Sequence, residues 1–491
     1  REEERGLARA LLGLAAEAQP RGIGPLRAVL DDLFGPPAGT DWQRVAAAVA
    51  ASRRLCVISG GPGTGKTTTL ARILALLLRL DPGIRPRLGA PTGKAAARMQ
   101  EALCQAAQGL PGEAERRFLR GLEGETLHRL LGLRPDGSAR HHAGNPLDCD
   151  LVVVDEASMV DLPLMSRLLR ALPRHGRLIL LGDRNQLASV EPGAVLADIC
   201  AAGEGFTPSF RDYLEAACGH PLSAPEGAGV LSDCVTTLER SYRFEAGGGI
   251  WRLSRAVLDG DADRIPELLQ QEPGLGWEPV SAPADRDRLL GRWLEGNLCR
   301  YYEAVSKGRS VAELHALLRE ACLLCALRQG PWGVEAVNRQ LTLLLAGRGL
   351  IDPHREWYPG RPVMVTRNDP ALGLYNGDIG IALPTGGGGY RVHFERGEGE
   401  LPVPAARMVN YETVHAMTVH KAQGSEYDRV ALLLPPEPAP LVTRELLYTA
   451  VTRARREVLI WASREALTRA ALTVSSRSSG LRQRLTAAGG E

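Results

Sequence analysis

A glycine-rich segment, residues 60–67, reads GGPGTGKT and follows the apolar run 55–58. Glycines permit a tight turn in which backbone N–H groups converge on phosphate oxygens, and the start of a helix adds the positive end of its dipole. Residues 67–80, rich in Leu and Ala, supply that helix. The pattern therefore predicts a phosphate-binding loop. Its expected members are Gly61, Pro62, Gly63, Thr64, Gly65, Lys66, Thr67 and Thr68.

Two side chains of this loop carry distinct chemistry. Lys66 is expected to reach the outer phosphates of a nucleotide, and Thr67 to hold Mg²⁺ through its hydroxyl oxygen. Lysine is also rare here, since only Lys66, Lys94, Lys307 and Lys421 occur among 59 basic residues. A compact ammonium differs from the planar guanidinium of arginine, so a retained lysine indicates a position that needs the ammonium itself. No role is predicted for Lys307.

A second motif, LVVVDE at residues 151–156, has four apolar strand residues followed by two acids. Ligands of open α/β sheets bind at the carboxyl ends of the strands, so this strand delivers both acids to that edge. We expect Asp155 to hold Mg²⁺ and Glu156 to orient and deprotonate the attacking water. Gln186 follows another apolar strand, and its neutral amide is able to hydrogen-bond both a γ-phosphate and that water.

Phosphoryl transfer also needs positive charge near the γ-phosphate as it departs. Arg240 and Arg243 in LERSYRF and Arg453 in YTAVTRAR are the candidates. An arginine supplied by a second domain would make domain movement depend on the nucleotide.

The elements that must position these residues follow from the hydrophobic runs. Apolar strand-like runs alternate with helical patterns over residues 41–230, which predicts a buried parallel sheet in an α/β domain with a small insertion at about 107–148. A second α/β pattern covers 231–349 and returns at 412–491. Between them, residues 350–411 show short strands separated by Asn-Gly-Asp and a glycine run, which predicts a small inserted antiparallel β barrel. Residues 1–40 are expected to be a helical leader and linker, and the polar C-terminal residues to be frayed.

Composition limits the classes of protein to consider. A chain of 491 residues with 44% hydrophobic residues is expected to be globular and multidomain. Its formal net charge of +2 restricts any nucleic-acid site to a local patch. No signal peptide and no uncharged apolar run of about 20 residues is found, so no membrane contact is expected. Nine scattered cysteines favour a reducing compartment and predict a cytoplasmic location.

The one close cysteine pair, Cys322 and Cys325 in EACLLCALRQ, allows two interpretations. It is either a redox or zinc-binding pair, or two small thiols buried in an apolar segment. The second is favoured because no further Cys or His pair has ligand spacing.

Taken together, the motifs resemble those of superfamily 1 helicases and, within them, the RecD family of α subunits of bacterial exodeoxyribonuclease V. The matching strings keep the family's order across residues 41 to about 460. The resemblance implies two RecA-like P-loop motor domains with an SH3-like barrel inserted in the second, and residues 1–40 as the remnant of an N-terminal helical domain. The most specific strings are ISGGPGTGKTTTLA, LGAPTGKAAARMQEAL, LVVVDEASMVDLPLM, LLGDRNQLASVEPGAVL, TVHKAQGSEYDRV and LLYTAVTRAR.

The resemblance also assigns roles by position. Gln43 would read the adenine edge, Glu426 would lie near the ribose, and Arg243 and Arg453 match two arginines that contact the γ-phosphate. The expected DNA-backbone contacts are Thr92, Lys94 and His128 in the first motor domain, Thr418, His420, Lys421 and Gln423 in the second, and Asn368 in the barrel. The plainer alternatives are helix capping for Lys94, an ordinary cap or strand position for Thr92 and Thr418, and simple packing for His128.

The implied function is that of an ATP- and Mg²⁺-dependent helicase that moves 5′ to 3′ on single-stranded DNA entered from duplex ends. It would act in double-strand-break repair by homologous recombination, with RecB-like and RecC-like subunits as partners. Nuclease activity is expected in a partner, because no paired-carboxylate nuclease string with a downstream lysine is found. Two other functions stay open: a stand-alone RecD-like helicase, and an ATP-driven switch that binds nucleic acid without unwinding it.

Overall fold

The chain folds into two compact units, Arg1–Arg243 with Ser476–Glu491, and Phe244–Ser475. The computed structural model describes residues 2–18, 21–37, 39–134, 136–188, 193–227, 229–242, 247–369, 371–396, 399–475 and 480–487. Within these ranges, no helix combines the length and the apolar character needed to cross a membrane.

The first unit is an α/β layer structure. Its helices are α1 (Glu2–Ala16), α2 (Ile23–Phe34), α3 (Trp42–Ser52), α4 (Lys66–Leu80), α5 (Gly93–Ala107), α6 (Glu113–Arg120), α7 (Leu127–Leu130), α8 (Leu162–Ala171), α9 (Val195–Ala202) and α10 (Pro208–Cys218). Its strands are β1 (Leu55–Gly60), β2 (Pro86–Ala90), β3 (Gly124–Thr126), β4 (Leu151–Val154), β5 (Arg177–Gly182) and β6 (Val235–Leu238).

All strand pairs of this sheet are parallel, in the order β3-β2-β4-β5-β1-β6. Strands β1, β4 and β5 are buried along their whole length because helices cover both faces. Cys56 and Ile58 of β1 point into one core, whereas Leu55 and Val57 point into the other. The predicted parallel sheet is therefore confirmed.

Three predicted boundaries of this unit were wrong, for one physical reason. Strand β6 was assigned to the second unit, but it pairs with β1, with Val57 opposite Val235. Strand β3, inside the predicted insertion at 107–148, pairs with β2 at the end of the sheet. Residues 1–40 are predicted to be the remnant of a separate N-terminal helical domain, yet Leu7 and Leu11 of α1 are buried in the core of the first unit. Local composition shows that a segment is a strand or helix, but not which element it packs against.

The second unit contains a parallel sheet and an antiparallel sheet. Its helices are α11 (Gly249–Asp259), α12 (Arg264–Gln271), α13 (Pro283–Trp293), α14 (Cys299–Ser306), α15 (Val311–Glu320), α16 (Val334–Gly347), α17 (Arg444–Val451) and α18 (Arg464–Leu472), and a π-helical turn (Leu294–Leu298) joins α13 to α14. Its strands are β7 (Leu275–Glu278), β8 (Ala321–Cys325), β9 (Arg361–Val365), β10 (Ile379–Pro384), β11 (Tyr390–Arg396), β12 (Gly399–Pro404), β13 (Tyr411–Thr413), β14 (Ala416–Thr418), β15 (Tyr427–Leu433) and β16 (Ala454–Trp461).

The parallel sheet has the order β14-β8-β15-β16-β7, and the antiparallel sheet the order β12-β11-β10-β9-β13. The antiparallel sheet occupies the segment predicted as a barrel and encloses a small core of its own around Val363, Val392 and Phe394. Its inserted position and antiparallel pairing agree with the prediction. Closure into an SH3-like barrel stays a prediction.

A buried polar node joins the two sheets of the second unit. The Asn338 side-chain amide on α16 donates to the carbonyl oxygens of Thr413 (3.1 Å) and Ala416 (3.0 Å), and its oxygen accepts from the Ala416 N–H (2.8 Å). A hydrogen bond of 2.8 Å links Tyr302 Oη to His415 Nε2. Burial lowers the pKa of His415 to about 3, so this imidazole is neutral in the folded protein. The node fixes the path of the chain from β13 into β14.

The C-terminal segment returns to the first unit. Helix α19 (Leu481–Ala487) contacts α1 and α9, and Leu481 and Leu485 are buried in the same core as Leu7. The Glu4 carboxylate accepts from the Gly480 N–H at 3.1 Å. Both the expectation of a frayed C-terminus and the assignment of residues 412–491 wholly to the second unit were therefore wrong for residues 480–487. The apolar face of α19 has only two leucines among mostly polar residues, so the sequence pattern did not indicate a packed helix.

We expect Leu485→Ala to lower the free energy of unfolding by about 2–5 kcal/mol, because it leaves a cavity in a buried core. Urea denaturation followed by circular dichroism measures this change. Leu472→Ala is the matched control, since Leu472 is 56% exposed and its truncation should cost little. Equal stabilities for the two variants would show that α19 does not contribute to the core in solution.

Candidate nucleotide-binding site

The carboxyl edge of the first sheet gathers the predicted chemistry. Strand β1 leads into the loop at 60–65, β4 into Asp155, and β5 into the segment that carries Gln186. Strands β2 and β3 end just before Thr92 and His128. Because all these strands are parallel, the residues that follow them lie along the same edge.

The glycine loop has the conformation that its sequence predicts. Gly63 and Gly65 have φ angles of 75° and 79°, in the left-handed region that side chains disfavour. A Cβ on Gly65 would lie 2.4 Å from Gln43 Nε2, so the position also lacks space. Gly65 is followed directly by α4, whose first residue is Lys66. The first N–H groups of a helix have no partners within that helix, so the start of α4 is suited to binding an anion.

Lys66 is held by the loop itself. Its ammonium donates to the carbonyl oxygens of Gly60 (2.7 Å) and Gly61 (3.1 Å). These acceptors are neutral, so a phosphate oxygen would be a stronger partner for the same ammonium. The hydrogen bonds to the loop therefore hold the Lys66 ammonium close to where phosphates would bind.

Asp155 and Glu156 follow β4 as predicted. Burial and, less strongly, the neighbouring Glu156 carboxylate raise the pKa of Asp155 to about 6, although the Glu156 N–H, which donates to its carboxylate, and the Lys66 ammonium both act to lower it. Asp155 therefore lies within electrostatic range of Lys66. Glu156 has a φ of 50°, the one positive φ of a non-glycine residue among the described parts of the chain. Such a conformation is unfavourable for a residue with a side chain, and strain of this kind is found most often at functional sites.

The two ends of the Gln186 amide differ in their hydrogen bonding. Its Nε2 donates to Asp183 Oδ2 at 3.0 Å, whereas its buried Oε1 has no hydrogen-bond partner among the residues that the structure describes. A buried acceptor without a partner is costly unless a ligand or water satisfies it. The geometry leaves Oε1 able to accept from a water, as expected of a residue that orients the nucleophile.

An open cleft of about 340 Å³ adjoins the loop through Gln43 and Thr64. Gln43 is buried, its Nε2 donates to the Thr64 carbonyl at 3.2 Å, and its Oε1 accepts from Arg72 at 3.4 Å. An amide held in this way still has a donor and a lone pair for an adenine edge. The predicted position of Gln43 beside the phosphate loop agrees with this role.

One side of this cleft is an aromatic wall that includes Trp42 and Tyr242. Neither residue was predicted from the sequence. The Tyr242 N–H donates to the Gly63 carbonyl at 2.8 Å, so the segment after β6 is fastened to the glycine loop. The Arg240 guanidinium lies 5.2 Å from the centre of the Tyr242 ring, which is 61% exposed. An exposed ring beside a base-sized cleft is suited to stacking. The string ERSYRF contained the signal, because an aromatic residue alternates there with arginines.

Two oxygen donors at this site match the chemistry of a magnesium ion. Asp155 offers a carboxylate and Thr67 a half-exposed hydroxyl, and Mg²⁺ is commonly held by one or two protein oxygens together with phosphates and waters. The raised pKa of Asp155 reflects a buried acid that a cation would stabilise.

The arginines predicted to contact the γ-phosphate have different outcomes. Arg243 lies outside the described residues. Arg453 precedes β16 in the second unit and is buried, with its guanidinium donating to the carbonyl oxygens of Thr449 (3.1 Å) and Ser425 (3.3 Å). Glu426 precedes β15 and accepts from Arg455 at 3.3 Å. Both residues lie at the amino edge of their sheet, because each directly precedes one of two neighbouring parallel strands.

The DNA-contact candidates of the first unit lie at its carboxyl edge. Thr92 caps α5, because its Oγ1 accepts from the Ala95 N–H at 3.2 Å, and a contact of this residue with DNA stays a prediction. Lys94 is half-buried in the first turn of that helix. His128 on α7 is exposed, which removes the packing alternative.

The candidates of the second unit follow β14 in a tight turn. Thr418 Oγ1 accepts from the Lys421 N–H at 3.4 Å, and the His420 carbonyl accepts from the Gln423 N–H at 3.3 Å. Gln423 is buried, whereas His420 and Lys421 are half-exposed. Asn368 is exposed on the antiparallel sheet subdomain and accepts from the Asn376 N–H at 2.8 Å.

The Cys322 and Cys325 pair lies on β8 and is buried. Burial raises the pKa of Cys325, so its thiol is protonated at neutral pH. Among the described residues, no group of three or more His, Cys, Asp or Glu side chains could hold a metal ion. The interpretation as buried thiols is the one that the structure supports.

Comparisons with known proteins agree with this organisation. The AAA domain family matches residues 43–192, and the UvrD-like helicase C-terminal domain family matches residues 413–461. RecBCD enzyme subunit RecD of Mycobacterium tuberculosis is 43% identical over 100% of this chain and 79% of its own length. The Haemophilus influenzae subunit RecD is 36% identical over 90% of this chain and 72% of its own length. The ATP-dependent RecD2 DNA helicase of Deinococcus radiodurans is 32% identical over 82% of this chain and 46% of its own length.

Replacing Gln186 by Leu should leave nucleotide affinity nearly unchanged and lower the turnover number for hydrolysis about 100-fold, because the oxygen proposed to hold the attacking water is lost together with the Nε2 donor to Asp183. Steady-state hydrolysis assays and titration with a fluorescent nucleotide analogue separate the two effects. Lys66→Gln, which removes a phosphate ligand, should weaken binding in the same titration. Unchanged turnover in Gln186→Leu would contradict the role of Oε1.

Proposed function

This chain belongs to the family of the RecBCD enzyme subunit RecD, and we propose from this membership that it is an ATP-dependent DNA helicase subunit. It moves 5′ to 3′ along single-stranded DNA and acts in a RecBCD-type exodeoxyribonuclease V complex during recombinational repair of double-strand breaks. The observation that carries the proposal is the carboxyl edge of the first sheet, where the glycine loop, Asp155 and Gln186 follow three neighbouring parallel strands.

Hydrolysis is assigned to residues of this edge. The loop N–H groups and Lys66 bind the β- and γ-phosphates, and Gln43 with the aromatic wall binds the base. Glu156 takes the proton of the attacking water, and Gln186 Oε1 holds that water in line. A magnesium ion held by Thr67 and Asp155 would neutralise phosphate charge. Arg453 and Arg243 are proposed to stabilise the departing γ-phosphate, and Glu426 to contact the ribose.

Movement on DNA is proposed to use residues on the same structural elements. Thr92 and Lys94 follow β2, which pairs with β4 in the sheet that carries the candidate nucleotide site, and His128 follows β3, which pairs with β2. A change at the phosphates therefore has a short, rigid path to these residues. Thr418, His420, Lys421 and Gln423 form the corresponding set of the second unit, with Asn368 on the antiparallel subdomain. Contacts of this kind bind the DNA backbone without regard to sequence.

Assembly with RecB-like and RecC-like subunits is proposed from the identity of the relatives, whose printed name places them in the RecBCD enzyme. The pair of carboxylates after β4, Asp155 and Glu156, is already used by the proposed hydrolysis. Nuclease activity is accordingly assigned to a partner subunit.

Unwinding should depend on Lys66. We expect the chain to displace a strand from duplexes with 5′ single-stranded tails in the presence of ATP and Mg²⁺, and Lys66→Gln to abolish displacement because the outer phosphates lose their cation. Lys307→Gln is the matched control, since Lys307 pairs with Glu303 on an exposed helix. DNA-stimulated hydrolysis without displacement from any substrate would instead indicate a switch, and displacement only from 3′ tails would overturn the polarity.

Reconstitution tests the partners. We expect co-expression with RecB-like and RecC-like subunits to yield a stable three-subunit complex by size-exclusion chromatography, with ATP-dependent degradation of linear duplex DNA. Lys66→Gln should leave assembly intact and reduce the rate of unwinding by this subunit. Full activity of the isolated chain with no association would favour a stand-alone helicase.

A further inference from the structure

Lys421, one of the four lysines, is paired within its own unit. Its ammonium lies 2.5 Å from a carboxylate oxygen of Glu412, and the side chains are 27% and 29% exposed. Lys421 is in the turn after β14, whereas Glu412 is the middle residue of β13. Sequence analysis assigned no role to Glu412.

Glu412 is presented from a well-held strand. It lies opposite Met364 in the antiparallel sheet. The next residue, Thr413, accepts through its Oγ1 from the Arg361 guanidinium at 3.1 and 2.8 Å, and its carbonyl accepts from Asn338. The carboxylate therefore has little freedom to move away from Lys421 through the backbone.

This arrangement cancels charge at a proposed DNA contact. A lysine adds to binding by replacing the counterions of a phosphate, and this gain depends on the net positive charge that it brings. A carboxylate in contact with the ammonium lowers that charge, and at partial burial the pair is less screened by salt than a fully exposed one. A DNA phosphate must therefore compete with Glu412 for Lys421.

We propose that Glu412 is an internal competitor of the DNA backbone for Lys421 and sets how tightly the second unit holds single-stranded DNA. This inference rests on the proposed function, because it takes Lys421 as a DNA contact. The consequence for a translocating protein is direct: a contact that is partly neutralised from within releases a phosphate more readily. Glu412 is thus a positioning residue that acts through Lys421.

The chain contains a natural control. Lys307 and Glu303 form the same type of pair at 2.7 Å, but they lie four residues apart on an exposed helix, with side chains 60% and 61% exposed. Glu303→Gln and Glu412→Gln remove the same charge from the same unit. Only Glu412→Gln should change the affinity for single-stranded DNA.

The experiment measures binding of a fluorescent oligothymidine to the full chain by anisotropy across a series of salt concentrations. We expect Glu412→Gln to tighten binding about two- to fivefold at low salt. The slope of log affinity against log salt should steepen by about 0.7, the value for one added phosphate contact on a single strand. Glu303→Gln and Glu412→Asp should keep the wild-type slope, and Glu412→Gln should bring no gain in a Lys421→Gln background.

The outcomes separate this inference from the proposed function. If the wild-type chain binds the oligonucleotide but Glu412→Gln weakens binding or keeps the wild-type slope, the pair only holds the turn in place, and the inference is overturned. If the wild-type chain binds no single-stranded DNA, the proposed function fails and this inference fails with it. Thermal unfolding of each variant shows whether a loss of binding reflects a loss of fold. Glu412→Asp keeps the carboxylate at this position, so its slope of log affinity against log salt is the reference for a variant with the charge retained.

Discussion

Parallel alignment of the strands is the constraint on which the first unit depends. Strands that run in the same direction end at the same edge, so the segments after β1, β2, β3, β4 and β5 are brought together although they are far apart in sequence. This alignment needs helices on both faces, because a parallel sheet buries both of its sides. The two apolar cores around β1 are therefore a requirement for the nucleotide site as well as for stability.

Lys66 has its partners at that edge within its own loop. Its ammonium donates to two carbonyl oxygens and lies within electrostatic range of Asp155. Binding of a nucleotide thus exchanges one set of partners for another and needs no refolding of the loop. The left-handed glycines keep the backbone N–H groups oriented in advance, so little conformational entropy is lost on binding.

The residues of the candidate site were more predictable from the sequence than the packing partners of the strands and helices. The glycine loop, the acids after β4 and Gln186 are encoded by short strings whose spacing and flanking strands are local, and the structure places them together. The partners of β6 and α19 are not local: Val235 pairs with Val57, and Leu485 packs in the same core as Leu7. The Glu412–Lys421 pair also escaped notice, because its contact depends on how β13 and the turn after β14 meet. Tyr242 was missed because one ring among arginines shows its role only beside a cleft.

The position of α19 has a consequence for biosynthesis. The core of the first unit contains Leu7 near the start of the sequence and Leu481 and Leu485 near its end, with the whole second unit encoded between them. At ordinary rates of translation, on the order of tens of seconds pass between the emergence of β6 and that of α19. During this time the face that α19 will cover is open to water. The first unit therefore begins to fold before the second unit and is completed after it, and in between its exposed apolar face is open to chaperones.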